Sequence, residues 1–424
     1  MTIAAHAAIR NLRNKDNCYA RQDVNHTERV DIAIIGGGLV GASLGCALAP
    51  LIRRHGLRVA VIEASALPAD GMQGYQPSFD ARASAIAQGS RRHFQTLGVW
   101  DALAREAQPI EMIHVSERGR LGATRLTAGE LRVDALGYVL PNAWMGRVLH
   151  DRLADIDLDW HCPARVEDIA ASPQGYRLRL SDGSELNAGL TVLADGGRSG
   201  LKERLGIASH EASYEQAALI TTLEVSQPHR GVAYERFTAE GPLALLPLTG
   251  NRMELIWTHA AGEERGTLAL SDGDFLARLQ RVFGERAGRF RRVGRRHVYP
   301  LTLVTAEESV RPGLAVLGNA AHALHPVAGQ GFNLALRGVM DLVAALDAGI
   351  ETGQSPGAVT VMNDFETRRD LDRRNVIRFS DGLIRLFGVT HPLLSHARAA
   401  GLVGLNLAGP LRRAFARRAM GLER

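Results

Sequence analysis

Hydrophobic positions are dense between Val30 and Glu63. A short apolar run, Val30 to Ile35, leads into Gly36, Gly37, Gly38 and Gly41. An apolar stretch of helical length follows from Leu39 to Ile52, with Pro50 expected to break it near its end. A second apolar run, Arg58 to Ile62, ends in Glu63. Strand, tight turn, helix and strand in that order make a βαβ unit. Ile32 to Ile52 carries no charge over 21 residues, long enough to span a bilayer. The glycines Gly36, Gly37, Gly38 and Gly41 would weaken such a helix, and the acid-tipped run after it suits a soluble unit better.

The pattern then changes period. The loop Ala66 to Ser78 precedes Phe79-Asp80-Ala81-Arg82, and a helix is expected from Ala83 to Leu97, ending at Gly98. Met112 to Ser116 and Arg120 to Leu126 read as strands, and Met145 to Ala154 as a helix. Val166 to Ala171 and Gly175 to Leu180 form a meander with a turn at Asp182-Gly183, and Leu190 to Ala194 is a buried strand. From 217 to 260 runs of strand length alternate with Gly and Pro turns, which predicts an antiparallel sheet. A helix over Asp272 to Phe283, a buried strand at Leu314 to Leu317, a helix from Gly331 to Ala348 and a helical region from Val359 onward complete the pattern.

These elements predict an α/β protein with two intertwined domains. The nucleotide-binding domain is expected to be discontinuous, 30–110 plus 141–205 plus 295–350. A sheet-rich substrate domain takes 111–140 plus 206–294. Residues 351–424 form a helical C-terminal region, and 1–29 a disordered, basic extension.

Composition narrows the class. A length of 424 residues needs two or three cores. Cys18, Cys46 and Cys162 are far apart and form no C-x-x-C, so a disulfide framework or zinc site is not expected. The net charge of +5 is modest and comes mostly from arginine, without the basic–aromatic array of a nucleic-acid binder.

Each glycine of the first motif has a physical task. Gly36 turns the chain out of the strand, Gly38 lets a pyrophosphate approach the backbone, and Gly41 lets the helix pack closely on the strand. The helix N-terminus attracts the phosphates. Glu63, 22 residues past Gly41, accepts from the hydroxyls of an adenosine ribose. A second motif, Ala194-Asp195-Gly196-Gly197, ends a strand. A third runs from Leu317 to Arg337 through Gly318, Asn319, His322, His325, Pro326, Gly329, Gly331 and Asn333. Pro326, Gly329 and Gly331 interrupt it, which predicts a loop of backbone N–H groups facing a ligand and then a helix. His322 and His325 have no acidic or cysteine ligand near them in sequence, so a structural role is expected and no metal.

Taken together, G-G-G-x-x-G, D-x-R, A-D-G and G-N-A-A-H-x-x-H-P-x-x-G-Q-G-x-N resemble the class A flavoprotein aromatic hydroxylases, over roughly residues 30 to 400. Within that class the chain resembles the ubiquinone-biosynthesis hydroxylases. The runs His114 to Gly119 and Glu235 to Pro247 are similar to those of 2-polyprenyl-6-methoxyphenol hydroxylases. The resemblance implies a para-hydroxybenzoate hydroxylase-type fold and FAD as the bound cofactor. NAD(P)H would be a transient co-substrate, and O2 would be used to hydroxylate a phenol through a flavin C4a-hydroperoxide.

Carried over residue by residue, Gly36, Gly38 and Gly41 would hold the pyrophosphate, Glu63 the ribose, and Arg82 the phosphates and ribityl chain. Asp195 and Gly196 would contact FAD and the passing nicotinamide. Gly318 and Asn319 would lie at the ribityl and pyrophosphate, Pro326 at the isoalloxazine, and Gly329, Gly331 and Asn333 around its pyrimidine end. Asn319 departs from the usual Asp, and Ala81 stands where relatives often have Gly. The catalytic base is unassigned, with Tyr234 and His259 as candidates. The strands Leu243 to Leu248 and Met253 to Trp257 are open to two uses, lining an apolar tunnel or forming ordinary sheet core.

The partner implied is a hydrophobic phenolic quinone precursor. The enzyme would be cytoplasmic and peripheral on the inner membrane, with the tail Pro410 to Met420 as a lipid-facing or plain surface helix, or within a ubiquinone-biosynthesis complex. Two other readings are open: a different FAD oxidoreductase of this fold, and a non-catalytic assembly subunit.

Overall fold

The computed structural model describes residues 27–66, 82–120, 123–324 and 329–388, with Gly409, Arg413, Ala416, Arg417 and 420–422 of the tail. Asp80, Ala81, His325, Pro326 and most of the N-terminal extension and C-terminal tail lie outside them.

Strand β1 (Thr27–Ile35), helix α1 (Leu39–His55) and strand β2 (Val59–Ile62) form the expected βαβ unit. β1 is the middle of a parallel core, with Glu185–Leu193 on one side and β2 on the other. Leu314–Val316 and Asp159–His161 extend that sheet outward in parallel, and the hairpin Val166–Ser172 and Gly175–Leu180 adds antiparallel strands. Strands buried on both faces need apolar residues at consecutive positions. Ile32 and Ile34 feed a core shared with α1 and the helix Gln330–Glu351. Ala33 and Ile35 feed a second core with Leu178 and Leu186 of the hairpin side.

A nine-stranded sheet forms the second layer. Its centre runs His297–Ala306, Ser209–Val225, Arg252–Ala260, Gly241–Leu248 and Val232–Thr238, all antiparallel neighbours. Met112–Glu117 joins in parallel, and Ala123–Thr127 follows it. Helix Asp272–Phe283 covers one face through Phe275, Leu279 and Phe283.

Three expectations are corrected. Pro50 does not break α1: the helix continues to His55, where Gly56 at φ 65° closes it by donating to Ile52 O. Pro50 is exposed, and burial of Leu51 and Ile52 offsets the one missing backbone bond. Ala83–Ala87 is a strand, and only Gln88–Thr96 is helical. Pairing with Gly137–Pro141 overrides the local pattern, helped by Gly137, where a Cβ would meet Ile86 O at 2.7 Å. His297–Ala306, expected in the nucleotide unit, pairs with Ser209–Val225, and the first sheet resumes with an antiparallel strand at Val310 and a parallel one at Leu314. No helix among the described residues is long and apolar enough to cross a membrane.

Candidate cofactor and active site

The glycine turn is built against the end of the neighbouring strand. Gly36 sits at φ 104°, and a Cβ there would meet Ala194 O at 2.7 Å and Asp195 Cα at 2.9 Å. A Cβ on Gly41 would lie 1.8 Å from Gly36 O. α1 begins at Gly38 with no side-chain cap and no acid in its first turn, so its free N–H groups lack a protein partner of negative charge. Glu63 is buried at the tip of β2; its carboxylate accepts from Gly37 N at 2.7 Å and Ser65 N at 2.8 Å.

Sequence reading missed two supports of this turn. His150 donates through Nε2 to Gly37 O at 2.8 Å, which requires its proton on Nε2. Burial lowers its pKa, so it stays neutral. Trp160 packs 5.6 Å from the His150 ring and closes the other flank of Gly37. Both arrive from elements distant in sequence, and nothing local marks them.

The second and third motifs meet the first. A Cβ on Gly318, at φ 62°, would touch Val40 of α1 at 3.0 Å, and Gly197 lies against Asn319 and Ala320. The Asp195 carboxylate accepts from Gly197 N and Ser199 N, both at 3.0 Å, so it shapes its own turn. Gly196 is exposed at φ 72°. Asn319 is exposed, and its amide makes no hydrogen bond to the described residues.

Asn333, 1% exposed, is a bracket. Its amide donates to Ala85 O at 2.8 Å and Gly329 O at 2.7 Å, and its oxygen accepts from Ala87 N at 2.8 Å. The side chain is therefore satisfied within the protein. Gly329 at φ 60° caps the helix Gln330–Glu351 without a side-chain bond and without an acid in the first turn. His322 is buried and accepts from Arg369 Nη2 at 3.2 Å; burial beside that arginine pushes its pKa well down, which suits a structural role. No cluster of metal-ligating side chains occurs among the described residues.

Gly331 separates ligand from scaffold. A Cβ there meets no described atom within 4 Å, and its φ lies outside the left-handed region. Gly331→Ala should raise apoprotein stability by about 0.5–1 kcal/mol, because Ala favours a helix. With the flavin placed as the resemblance implies, it should also weaken FAD binding, because the methyl group would point into that space. Thermal unfolding of the apoprotein and flavin titration check the two opposite signs.

The nine-stranded sheet turns one face toward this site. Ala83 N donates to Glu254 Oε1 at 2.8 Å, and the Arg82 guanidinium stacks 4.6 Å from the Tyr299 ring. A cavity of about 160 Å³ lies beside Arg82, Ala83, Thr222 and Glu254. Both candidate bases lie on the other face. Tyr234 packs edge-on to Phe283 at 5.4 Å and donates to Arg286 O. His259 is buried beside Trp257, and its pKa is lowered to about 4. Leu243, Leu245, Met253, Leu255 and Trp257 are sheet core under Asp272–Phe283, so only the alternate residues of those strands reach the Arg82 side.

The two uncapped helix starts, the glycine positions closed to any side chain and the buried acid at the tip of β2 fit a dinucleotide with an anionic pyrophosphate.

The comparisons agree. Residues 29–379 match the family described as FAD binding domain. The chain is 38% identical to ubiquinone hydroxylase UbiL of Rhodospirillum rubrum, over 92% of this chain and 89% of that protein. It is 31% identical to 3-demethoxyubiquinol 3-hydroxylase of Escherichia coli, over 92% and 98%. In fold it matches p-nitrophenol 4-monooxygenase PnpA of Pseudomonas putida, with TM-score 0.75 and 17% identity over 93% and 99% of the two chains. It also matches P. aeruginosa PqsL in complex with 2-aminobenzoylacetate, with TM-score 0.72 and 22% identity over 88% and 99%. The chain therefore belongs to the FAD-binding-domain family and is an FAD-dependent flavoprotein hydroxylase of the kind that includes the ubiquinone hydroxylases.

Proposed function

We propose that this enzyme hydroxylates the ring of a prenylated methoxyphenol on the way to ubiquinone, with NAD(P)H as reductant and O2 as oxygen donor. The observation that carries the reading is an apolar row, Ala244, Ile256 and Ile220, on the sheet face that meets Arg82 and Ala83. The row suits an aromatic ring with an apolar tail better than an aromatic acid. The names borne by the similar ubiquinone hydroxylases support the same substrate class.

Bound FAD supplies the redox chemistry and the activated oxygen. The protein's share is placement. Gly36, Gly38 and Gly41 would admit the pyrophosphate, and Glu63 would take the ribose. Arg82 and the Asp195–Gly196 turn would flank the cofactor, and Gly318 and Asn319 would lie at its ribityl end. Pro326 and the backbone of Gly329, Gly331 and Asn333 would surround the flavin ring. The apolar row would exclude water from the ring being hydroxylated. The parallel sheet would carry FAD and the nine-stranded sheet the phenol. The enzyme would rest peripherally on the membrane in which a prenylated precursor dissolves.

Purified enzyme should be yellow. A short-chain prenylated methoxyphenol should stimulate NAD(P)H oxidation and be recovered with one added oxygen. Stimulation by 4-hydroxybenzoate instead would move the substrate to the soluble aromatic acids. A colourless protein that does not take up flavin would favour an assembly subunit.

A further inference from the structure

We propose that Glu235 is the catalytic base of this enzyme, taking the phenolic proton of the substrate on the apolar face of the nine-stranded sheet. The proposal rests on the phenol-hydroxylase reading above.

Register fixes where Glu235 points. Residues paired across neighbouring strands share a face. Glu235 pairs with Ala244, Ala244 with Ile256, and Ile256 with Ile220. Glu254 lies two residues before Ile256 and accepts from Ala83 N. Tyr299 pairs with Ala218, two residues before Ile220, and lies under Arg82. Glu235 therefore belongs to the face that meets the Arg82–Ala83 segment. Its neighbour Arg236 faces the opposite way, toward Ser116 and Phe283.

The carboxylate has no hydrogen bond or ion pair in the described structure. It is half-buried, between Val115 and Ala244 in its row. An acid without a protein partner at such a place is costly unless a ligand supplies the missing donor. A phenol O–H is such a donor. Burial pushes the Glu235 carboxyl up to about 7, so near neutral pH it can accept a proton and later release it. The charged and titratable groups on the same face include Glu117, Glu224, Arg252, Glu254, His297, Tyr299 and Arg82, and Glu106 lines the cavity beside Arg82. Glu254 already accepts from Ala83 N, and Tyr299 lies beneath the Arg82 guanidinium.

In the step itself, the phenol O–H bond breaks and a carboxyl O–H bond forms on Glu235. The electron pair stays on the phenol oxygen and enriches the ring carbons that receive oxygen. No electron leaves or enters, and the proton passes later to water. An unassisted phenol ionises near pKa ~10, so without the base most substrate at neutral pH stays un-ionised.

The test uses full-length, FAD-loaded enzyme with a short-chain prenylated methoxyphenol, measuring hydroxylated product and H2O2 against pH. Wild type should gain product yield as pH rises through about 7, where the carboxyl ionises. E235Q should keep its FAD and reduce O2, but yield roughly 100-fold less product at neutral pH, within the range expected of a lost general base. Its yield should recover only toward pH ~10, where the phenol ionises alone. A ring-fluorinated analogue of lower phenol pKa should restore E235Q at neutral pH, which a structural role would not allow. E235D should retain a pH limb at reduced rate, and that limb tests the assignment if E235Q does not fold. Wild-type yield and pH profile in E235Q, or no rescue by the acidic phenol, overturns it. A yellow wild-type enzyme that ignores the prenylated phenol overturns the functional reading, and this assignment with it.

Discussion

Gly41→Ala should give a colourless, poorly stable protein. The new Cβ would lie 1.8 Å from Gly36 O, a backbone atom in the turn that Ala194 and Asp195 hold from the other side. Neither partner can yield locally, so α1 must move off β1. Overpacking against fixed backbone costs about 3 kcal/mol or more. The same movement displaces the helix start proposed to face the pyrophosphate, so FAD content should fall with stability. Gly45→Ala is the control. Its Cβ would meet Leu153 Cδ2 at 2.8 Å, the far end of a flexible side chain, and FAD should be retained. Flavin absorbance per protein and thermal unfolding of both variants decide the matter. Equal FAD content in Gly41→Ala and wild type would sink the close-packing explanation.

Asn333→Asp should be nearly as severe, for a different reason. The shape is kept, but two donated hydrogen bonds are lost, and a carboxylate would face Ala85 O and Gly329 O, which now lie within 2.8 Å of the amide nitrogen. A buried charge left without a partner costs roughly 3–5 kcal/mol. The strand Ala83–Ala87 and the helix start at Gln330 would loosen together, and FAD affinity should fall with them. The sign with pH follows from linkage. The introduced Asp has its folded-state pKa raised above its unfolded value, so its folded form is favoured below that unfolded value. The stability deficit grows as pH rises through the folded pKa. Melting curves should therefore show a larger deficit near pH ~8 than near pH ~5. A deficit that does not change with pH would mean that the side chain is not held between those carbonyls.

Much of the site was legible in the residue order. Glycines at positions where a Cβ would strike backbone, such as Gly36 and Gly41, carry their reason in the chain itself. Glu63 was legible through its place at the end of an apolar run. Asn333 was named as a cofactor residue, and its side-chain amide is spent on Ala85, Ala87 and Gly329. Asp195 likewise turns its carboxylate to its own loop. His150 and Trp160 were not legible, because they reach Gly37 from elements more than 100 residues along the chain.

The sequence by itself determined the βαβ unit, the three glycine-bearing motifs and the switch from helical to alternating periodicity. Each depends on interactions between near neighbours: a turn, a helix start, one strand's two faces. Tertiary structure decided what local periodicity cannot. It made Ala83–Ala87 a strand by pairing it with Gly137–Pro141, and it assigned His297–Ala306 to the second sheet. It also decided which face of each strand meets the Arg82–Ala83 segment. Alternation tells inside from outside only when one face is solvated, and here helix Asp272–Phe283 covers one face while the Arg82–Ala83 segment meets the other. That pairing put Tyr234 and His259 on the side of helix Asp272–Phe283 and Glu235 on the face that meets the Arg82–Ala83 segment.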